Sequence, residues 1–191
     1  MAPLIILILM LTAAATSSYY IDSVVKKVEK ERAHNITRDV LSLIERVQQT
    51  YGYFLRLQGE GKYNEARTYW ETFCTDCNGK KIGEGTPLDN YSVFYDVPWV
   101  ASIECKSTIL KRKSIQRNGV LFNDIPSLTE FRISVTTKER MYPQTMYDSS
   151  ATFMRTAYVT KVDFERHSST QMVVYMHLGA MTGSQTPLII F

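Results

Sequence analysis

Residues 40–51 read VLSLIERVQQTY, and this stretch decides the fold of the N-terminal part of the chain. Its apolar residues are mostly three or four positions apart, the spacing that places side chains on one face of an α-helix; they are Val40, Leu41, Ile44, Val47 and Tyr51. No proline or glycine occurs between Pro3 and Gly52. The pattern therefore predicts one long helix whose amphipathic part docks on a sheet, with a break near Thr16–Ser18 or His34–Asn35 as the alternative.

The start of the chain is apolar and carries no charged side chain before Asp22. Residues 4–11 read LIILILML, and the uncharged stretch approaches the roughly 20 residues that a helix needs to cross a bilayer. We expect residues 1–21 to be retained as a membrane or assembly segment, with packing residues Leu4, Ile5, Ile8 and Leu11. The alternative is a secretory signal peptide that is cleaved after the small residues Ala13-Ala14-Ala15.

The charges around this segment leave the orientation of an anchor open. The basic residues nearest to it all follow it; they are Lys26, Lys27, Lys30 and Arg32. The positive-inside rule places such a flank in the cytoplasm. We nevertheless expect a soluble domain outside the cytoplasm, in the cell envelope, and that location requires a processed basic leader or dedicated export machinery.

Beyond the first helix the spacing of apolar residues changes twice. Gly59 and Gly61 mark a turn, Lys62–Phe73 has the spacing of a second helix, and residues 74–91 form a polar loop with several glycines. From Tyr91 onward the residues alternate as in strands with one buried face. The predicted strands are Tyr91–Val97, Trp99–Cys105, Ser107–Lys113, Phe131–Thr137, Met154–Phe164, Met172–Leu178 and Pro187–Phe191.

These patterns divide the chain into four parts. Residues 1–21 are the apolar segment, residues 22–58 the amphipathic helix, residues 59–90 the short helix and loop, and residues 91–191 the sheet domain. Because helices precede an antiparallel sheet, the predicted class is α+β, with a long N-terminal helix packed on the sheet.

Three cysteines suggest a covalent link. Cys74 and Cys77 form a CxxC motif, and Cys105 lies in a predicted strand. A zinc site needs further ligands at matching spacing, and a redox CxxC usually belongs to a βαβ unit. We therefore favour a structural disulfide with one cysteine left over, or three reduced thiols, ahead of a zinc site or a redox site. A bond from Cys105 to either other cysteine would join loop and sheet, whereas a bond between Cys74 and Cys77 would only tighten the loop.

A local basic cluster lies along and directly after the predicted strand Ser107–Lys113; its members are Lys106, Lys111, Arg112, Lys113 and Arg117. Together with Lys80 and Lys81 it could form a patch for anionic lipid or nucleic acid. The alternative is a solvated hairpin tip without a partner. No aromatic-rich motif of the RNA-recognition type accompanies the cluster, so no specific nucleic acid is predicted.

Composition and motifs argue against disorder and against an enzyme. The chain has 191 residues, of which 45% are hydrophobic and 21% charged, ordinary values for a globular protein. Its net charge of +3 is too small to imply a nucleic-acid partner. No GxGxxG, phosphate-loop, GxSxG or HExxH motif is present, and the histidines His34, His167 and His177 lack metal-ligand spacing. We expect a non-enzymatic protein without cofactor or metal.

An apolar N-terminal segment, a continuous amphipathic helix, a loop and an antiparallel sheet together resemble a type IV pilin or pseudopilin. The resemblance implies a structural subunit of a cell-surface filament or envelope assembly, whose first helix packs in the filament core or lies in the membrane. Its partners would be other subunits, with membrane contact through residues 1–21. Ile5 stands where pilins usually have a glutamate, which favours a minor or accessory role. Two alternatives are a secreted binding domain and a membrane-anchored subunit of another complex, such as a virion.

Overall fold

The computed structural model describes residues 2–91, 100–138 and 159–179. Within these ranges it describes the backbone alone for residues 2–17, 29–30, 32–38, 91, 159–164 and 166. The predicted strand Pro187–Phe191, and Tyr91–Val97 apart from its first residue, lie outside the described residues.

Two α-helices come first in the chain. Helix α1 covers Ala2–Gly59 and α2 covers Tyr63–Cys77, and a short 3-10 turn follows at Asp89–Tyr91. The link between the helices turns at Gly61, whose φ of +81° is a conformation that glycine adopts at little cost.

Helix α2 is longer than the sequence pattern indicated, since it ends at Cys77 and not at Phe73. The CxxC motif therefore belongs to the helix and not to the following loop. The reason is that the buried face continues at helical spacing; its residues are Ala66, Trp70, Phe73, Cys74 and Cys77.

The sheet is antiparallel throughout. Its strands are β1 (Lys80–Lys81), β2 (Val100–Arg117), β3 (Val120–Thr137), β4 (Val159–Arg166) and β5 (Gln171–Gly179). Their order across the sheet is β1-β2-β3-β5-β4, with β1 contributing only two residues at one edge. The α+β class is thus confirmed, and so is an antiparallel sheet in the second half of the chain.

Two predicted strands, Trp99–Cys105 and Ser107–Lys113, are parts of the single strand β2 from Val100 onward. The exposed Lys106 between them does not interrupt the ladder, because it pairs with Arg132 on β3. Phe131–Thr137 and Met172–Leu178 lie within β3 and β5, and the described part of Met154–Phe164 lies in β4.

One face of the sheet forms the core together with residues 39–57 of α1 and with α2. We call this unit the head. On β3 and β5 the core positions alternate along the strands, and the contributing side chains are Phe131, Ile133, Val135, Met172, Val174, Met176 and Leu178. From α1 the core takes Val40, Ile44, Val47 and Tyr51, all essentially inaccessible to solvent. Each fully buried aliphatic side chain contributes about 1.5–3 kcal/mol.

Aromatic rings join the two helices and the sheet at the centre of the head. Tyr51 meets Trp70 edge to face at 4.9 Å between ring centroids, and Phe73 stacks over Phe131 at 6.0 Å. The buried Trp70 indole Nε1 donates a hydrogen bond of 2.9 Å to Thr129 Oγ1 on β3. This bond satisfies the polar atom of the largest core side chain and fixes α2 over the sheet.

Candidate functional surfaces

Before the head begins, α1 carries apolar side chains that remain exposed. Ile21, Val24, Val25 and Val28, which we call the outer stripe, are 40–59% exposed. Their spacing of three, one and three residues places them on one face of the helix. Off this face, Lys26 pairs with Asp22 at 2.8 Å, so the same turns are amphipathic.

Directly N-terminal to the outer stripe, Tyr19 and Tyr20 are 79% and 69% exposed. The predicted packing residues come earlier still, and their side chains lie outside the described residues; they are Leu4, Ile5, Ile8 and Leu11. Among the side chains that the structure describes, no helical stretch is long and apolar enough to span a bilayer.

The cysteines form one disulfide, between Cys77 and Cys105, with Cα atoms 5.6 Å apart. It links the last residue of α2 to β2, and this confirms the predicted disulfide and selects one of the pairings that the sequence left open. The connection is reinforced beside it, because Gly79 N–H donates to the Cys105 carbonyl at 2.9 Å.

Cys74 is left as a buried free thiol. Burial raises its pKa to about 12, so the thiol stays protonated and weakly nucleophilic at neutral pH. Ser107 Oγ donates to the Cys74 carbonyl at 2.9 Å, a second bond between α2 and β2. The CxxC region therefore acts in the head as a connection between helix and sheet.

The basic cluster is divided by the fold. Lys106 lies within the sheet, whereas the other four members lie where β2 and β3 continue past the sheet as a hairpin. Arg112 Nη1 pairs with Glu71 Oε1 of α2 and also donates to the Asp124 carbonyl at 2.9 Å. Lys111 and Lys113 are exposed.

Arg117, the last member of the cluster, lies against the turn between the two helices. A Cβ atom added to Gly61 would come within 2.7 Å of its Nη1 atom. The hairpin end is thus placed at the C-terminal end of α1, away from the outer stripe.

A polar network on the outer face of the sheet was not foreseen from the sequence. Glu130 accepts hydrogen bonds from Arg132 Nε at 2.7 Å and lies 3.2 Å from His177 Nε2. Partial burial opposes ionisation of Glu130, but the bonds from Arg132 and His177 outweigh it and lower the pKa of the carboxyl. Beside them, Tyr175 Oη lies 3.1 Å from His167 Nε2.

This network lines a cavity of about 170 Å³ through Arg132, His167 and Tyr175. The signal that could have found it is the alternation of β3 and β5, which puts Glu130 and Arg132 on the same face as Tyr175 and His177. The part of the chain that the structure describes contains no group of three residues able to hold a metal ion.

A second polar arrangement shapes the loop after β1. The Asp89 carboxylate accepts 2.9 Å hydrogen bonds from the backbone N–H groups of Gly83 and Gly85, and a bond from the Thr86 hydroxyl. Burial opposes ionisation here too, yet these donors lower the pKa of Asp89. Its role is to hold the glycine-containing loop closed.

Comparisons with protein family models, curated proteins and solved structures find no match for this chain. The resemblance to pilins therefore stays a prediction from the order of the segments.

Proposed function

We propose that this chain is a non-enzymatic structural subunit of a cell-surface filament or envelope assembly, held in place by the N-terminal part of α1. The observation that carries the proposal is the outer stripe: four aliphatic side chains on one helix face, 40–59% exposed, on the same helix whose residues Val40, Ile44 and Val47 are buried in the head. An apolar helix face outside a core favours packing against a partner.

The partner that fits the outer stripe is a helix of a neighbouring subunit. A facing helix covers a narrow strip of side chains three and four residues apart and leaves the rest of the surface in water. Asp22, Lys26 and Lys27 lie on the same turns and are exposed. These charges disfavour hydrocarbon on all sides of the helix but are compatible with a helix on one side.

The proposal extends to the residues before the outer stripe. We assign residues 1–21 to the filament core or the membrane, on the strength of their apolar sequence, and residues 22–58 to the amphipathic part that carries the head. The Cys77–Cys105 disulfide supports a head outside the cytoplasm, because disulfides persist in oxidising compartments. The pilin-like order of segments supports a filament subunit, and Ile5, where pilins usually have a glutamate, favours a minor or accessory one.

The test introduces the same charge on either side of α1. Val25→Asp places a carboxylate within the outer stripe, and Ser23→Asp places one on the opposite side of the helix. Both variants are expressed as full chains in the native host, and the envelope and sheared-filament fractions are analysed for the protein. We expect Val25→Asp to be lost from the assembled fraction and Ser23→Asp to be retained, with unchanged thermal unfolding of the head in both.

Incorporation of Val25→Asp at the level of the unsubstituted chain would overturn the proposal. The intact mass of the native protein shows whether the N-terminal segment is retained or cleaved. A mature chain that begins near Tyr19 and is found only as a soluble monomer would favour the secreted binding domain instead.

A further inference from the structure

The hairpin formed by β2 and β3 extends past its neighbours. Strand β5 pairs with β3 only from Leu128 onward, and β1 pairs with β2 only at Glu104 and Cys105. We call residues 110–127 the ribbon. Lys111 pairs with Leu128 at its base, and from Arg112 to Pro126 the two strands pair only with each other among the described strands. The ribbon turns at Asn118 and Gly119, both with positive φ.

Helix α2 supports one side of the ribbon. Phe122 packs on Tyr63 at 4.7 Å between ring centroids, and Arg67 Nη1 donates to the Asn123 carbonyl at 3.0 Å. Ile125 is fully buried, and the ion pair of Arg112 with Glu71 adds a further contact. These contacts fix the ribbon, so that its end is presented as a formed surface.

The charge of the chain is concentrated in the ribbon. It contains four cationic residues, Lys111, Arg112, Lys113 and Arg117, and a single acidic residue, Asp124, so that its net charge is +3. This equals the formal net charge of the whole protein, and the remainder of the chain is neutral overall. Glu71 of α2 offsets the charge of Arg112, and the exposed Lys111 and Lys113 remain to attract an anionic partner.

The end of the ribbon is also apolar. Val120 and Leu121, directly after the turn, are 54% and 57% exposed, and Leu110 is 46% exposed at the base. Adjacent aliphatic side chains at a protruding turn are unusual on a solvated hairpin, where polar residues would serve better. An aliphatic end with lysines farther back along β2 matches the two contributions to binding at an anionic lipid surface, apolar insertion and electrostatic attraction.

We propose that the ribbon binds the surface of an anionic lipid bilayer, with Val120 and Leu121 among the acyl chains and Lys111 and Lys113 at the level of the phosphates. Single-stranded nucleic acid fits less well, because it is bound by exposed aromatic rings, and Phe122 is committed to Tyr63. A second copy of the same surface would bring two groups of exposed lysines together.

The inference goes beyond the proposed function and does not depend on it. The ribbon lies at the C-terminal end of α1, beside Gly61, whereas the outer stripe lies toward the other end. A subunit held by its N-terminal part would therefore present the ribbon away from its point of attachment. Loss of assembly in Val25→Asp leaves lipid binding by the ribbon to be measured separately.

The experiment places a reporter on the ribbon of the full chain. Leu121→Trp is mixed with vesicles of phosphatidylcholine alone, or with added phosphatidylglycerol, whose acyl chains are brominated to quench tryptophan. Thr108→Trp, on the exposed part of β2 before the ribbon, is the matched control. We expect quenching of Leu121→Trp only with phosphatidylglycerol, its loss in high salt, and no added quenching in Thr108→Trp.

Charge variants refine the result. Lys111→Gln and Lys113→Gln, combined with the reporter, should each weaken vesicle binding about fivefold. Binding through residues 1–21 alone would not bring the ribbon reporter into the acyl region. Equal quenching of both reporters, or quenching that does not require phosphatidylglycerol, overturns the proposal. Displacement of the vesicles by a single-stranded oligonucleotide that shifts the reporter emission would reassign the ribbon to nucleic acid and also overturn it.

Discussion

Two parts of α1 have the same apolar spacing and opposite surroundings. In residues 39–57 the apolar face is closed by α2 and the sheet, and Ile44 is fully buried. In the outer stripe the corresponding face is open, and Ile21 is 59% exposed. Helical periodicity thus specifies which face of a helix must be covered. The chain itself covers that face in residues 39–57, and in our proposal a partner covers it in the outer stripe.

The largest expected effect separates these two isoleucines. Ile44→Ala removes fully buried methyl groups and should lower the free energy of unfolding by about 2–5 kcal/mol. Ile21→Ala should change it by less than about 0.5 kcal/mol, because its side chain is exposed in the isolated subunit. Urea unfolding followed by circular dichroism measures both. A destabilisation by Ile21→Ala as large as that of Ile44→Ala would show that the head itself covers the outer stripe.

The disulfide tests whether the head is stabilised independently of the outer stripe. Its two cysteines are 28 residues apart, and closing such a loop restricts the unfolded chain by about 3–4 kcal/mol in the chain-entropy account. The double variant Cys77→Ala with Cys105→Ala should lose most of this free energy of unfolding in a urea titration. While the variant remains folded, it should still be recovered in the assembled fraction.

Cys74→Ala is the control for the disulfide, since it removes a buried thiol and leaves the bond intact. A loss of stability in Cys74→Ala equal to that of the double variant would contradict the role of the bond. Identical unfolding of the oxidised and reduced protein would contradict it as well.

The sequence predicted the helical and strand spacing of apolar residues well. It gave less information about which residues contact each other across the fold. The spacing of Val40, Ile44 and Val47 predicted their burial correctly. Period-two alternation found most of β5 but only the C-terminal part of β3, Phe131–Thr137. The choice between Cys74 and Cys77 was not accessible, because both lie within one turn of α2. What distinguishes them is that β1 brings Cys105 next to the end of that helix, a long-range contact that no local pattern contains.

The same limit applies to the outer face of the sheet. Alternation assigns Glu130 and His177 to one face, but only the register of β3 with β5 places them opposite each other. The basic cluster shows the opposite problem, because residues that are close in sequence need not form one surface. Its five residues are neighbours along β2, yet Lys106 belongs to the sheet and Arg112 is engaged by Glu71.

The two faces of β3 also differ in how their side chains are covered. Thr129→Val leaves the buried Trp70 indole N–H without its acceptor and should lower the free energy of unfolding by about 1–3 kcal/mol. Thr136→Val, the same change at a half-buried position on the outer face, should stay within about 0.5 kcal/mol. Thermal unfolding of the two variants makes the measurement. Equal effects would mean that the hydrogen bond to Trp70 contributes nothing beyond ordinary packing.

The smallest expected effect concerns Glu130, where the outer face is closed by polar contacts instead of apolar ones. A carboxyl whose pKa is lowered on folding stabilises the folded state above its unfolded pKa, near 4.5, and this contribution disappears as the pH falls through the folded value. Glu130→Gln should therefore cost up to about 1 kcal/mol at neutral pH, the range of partly exposed ion pairs, and progressively less below pH 4.5. Glu104→Gln removes the same charge from an exposed position on β2 and is the control for the loss of one carboxylate. Chemical unfolding at a series of pH values compares them, and a difference for Glu130→Gln that grows toward acid would show that Arg132 and His177 do not favour the ionised carboxylate.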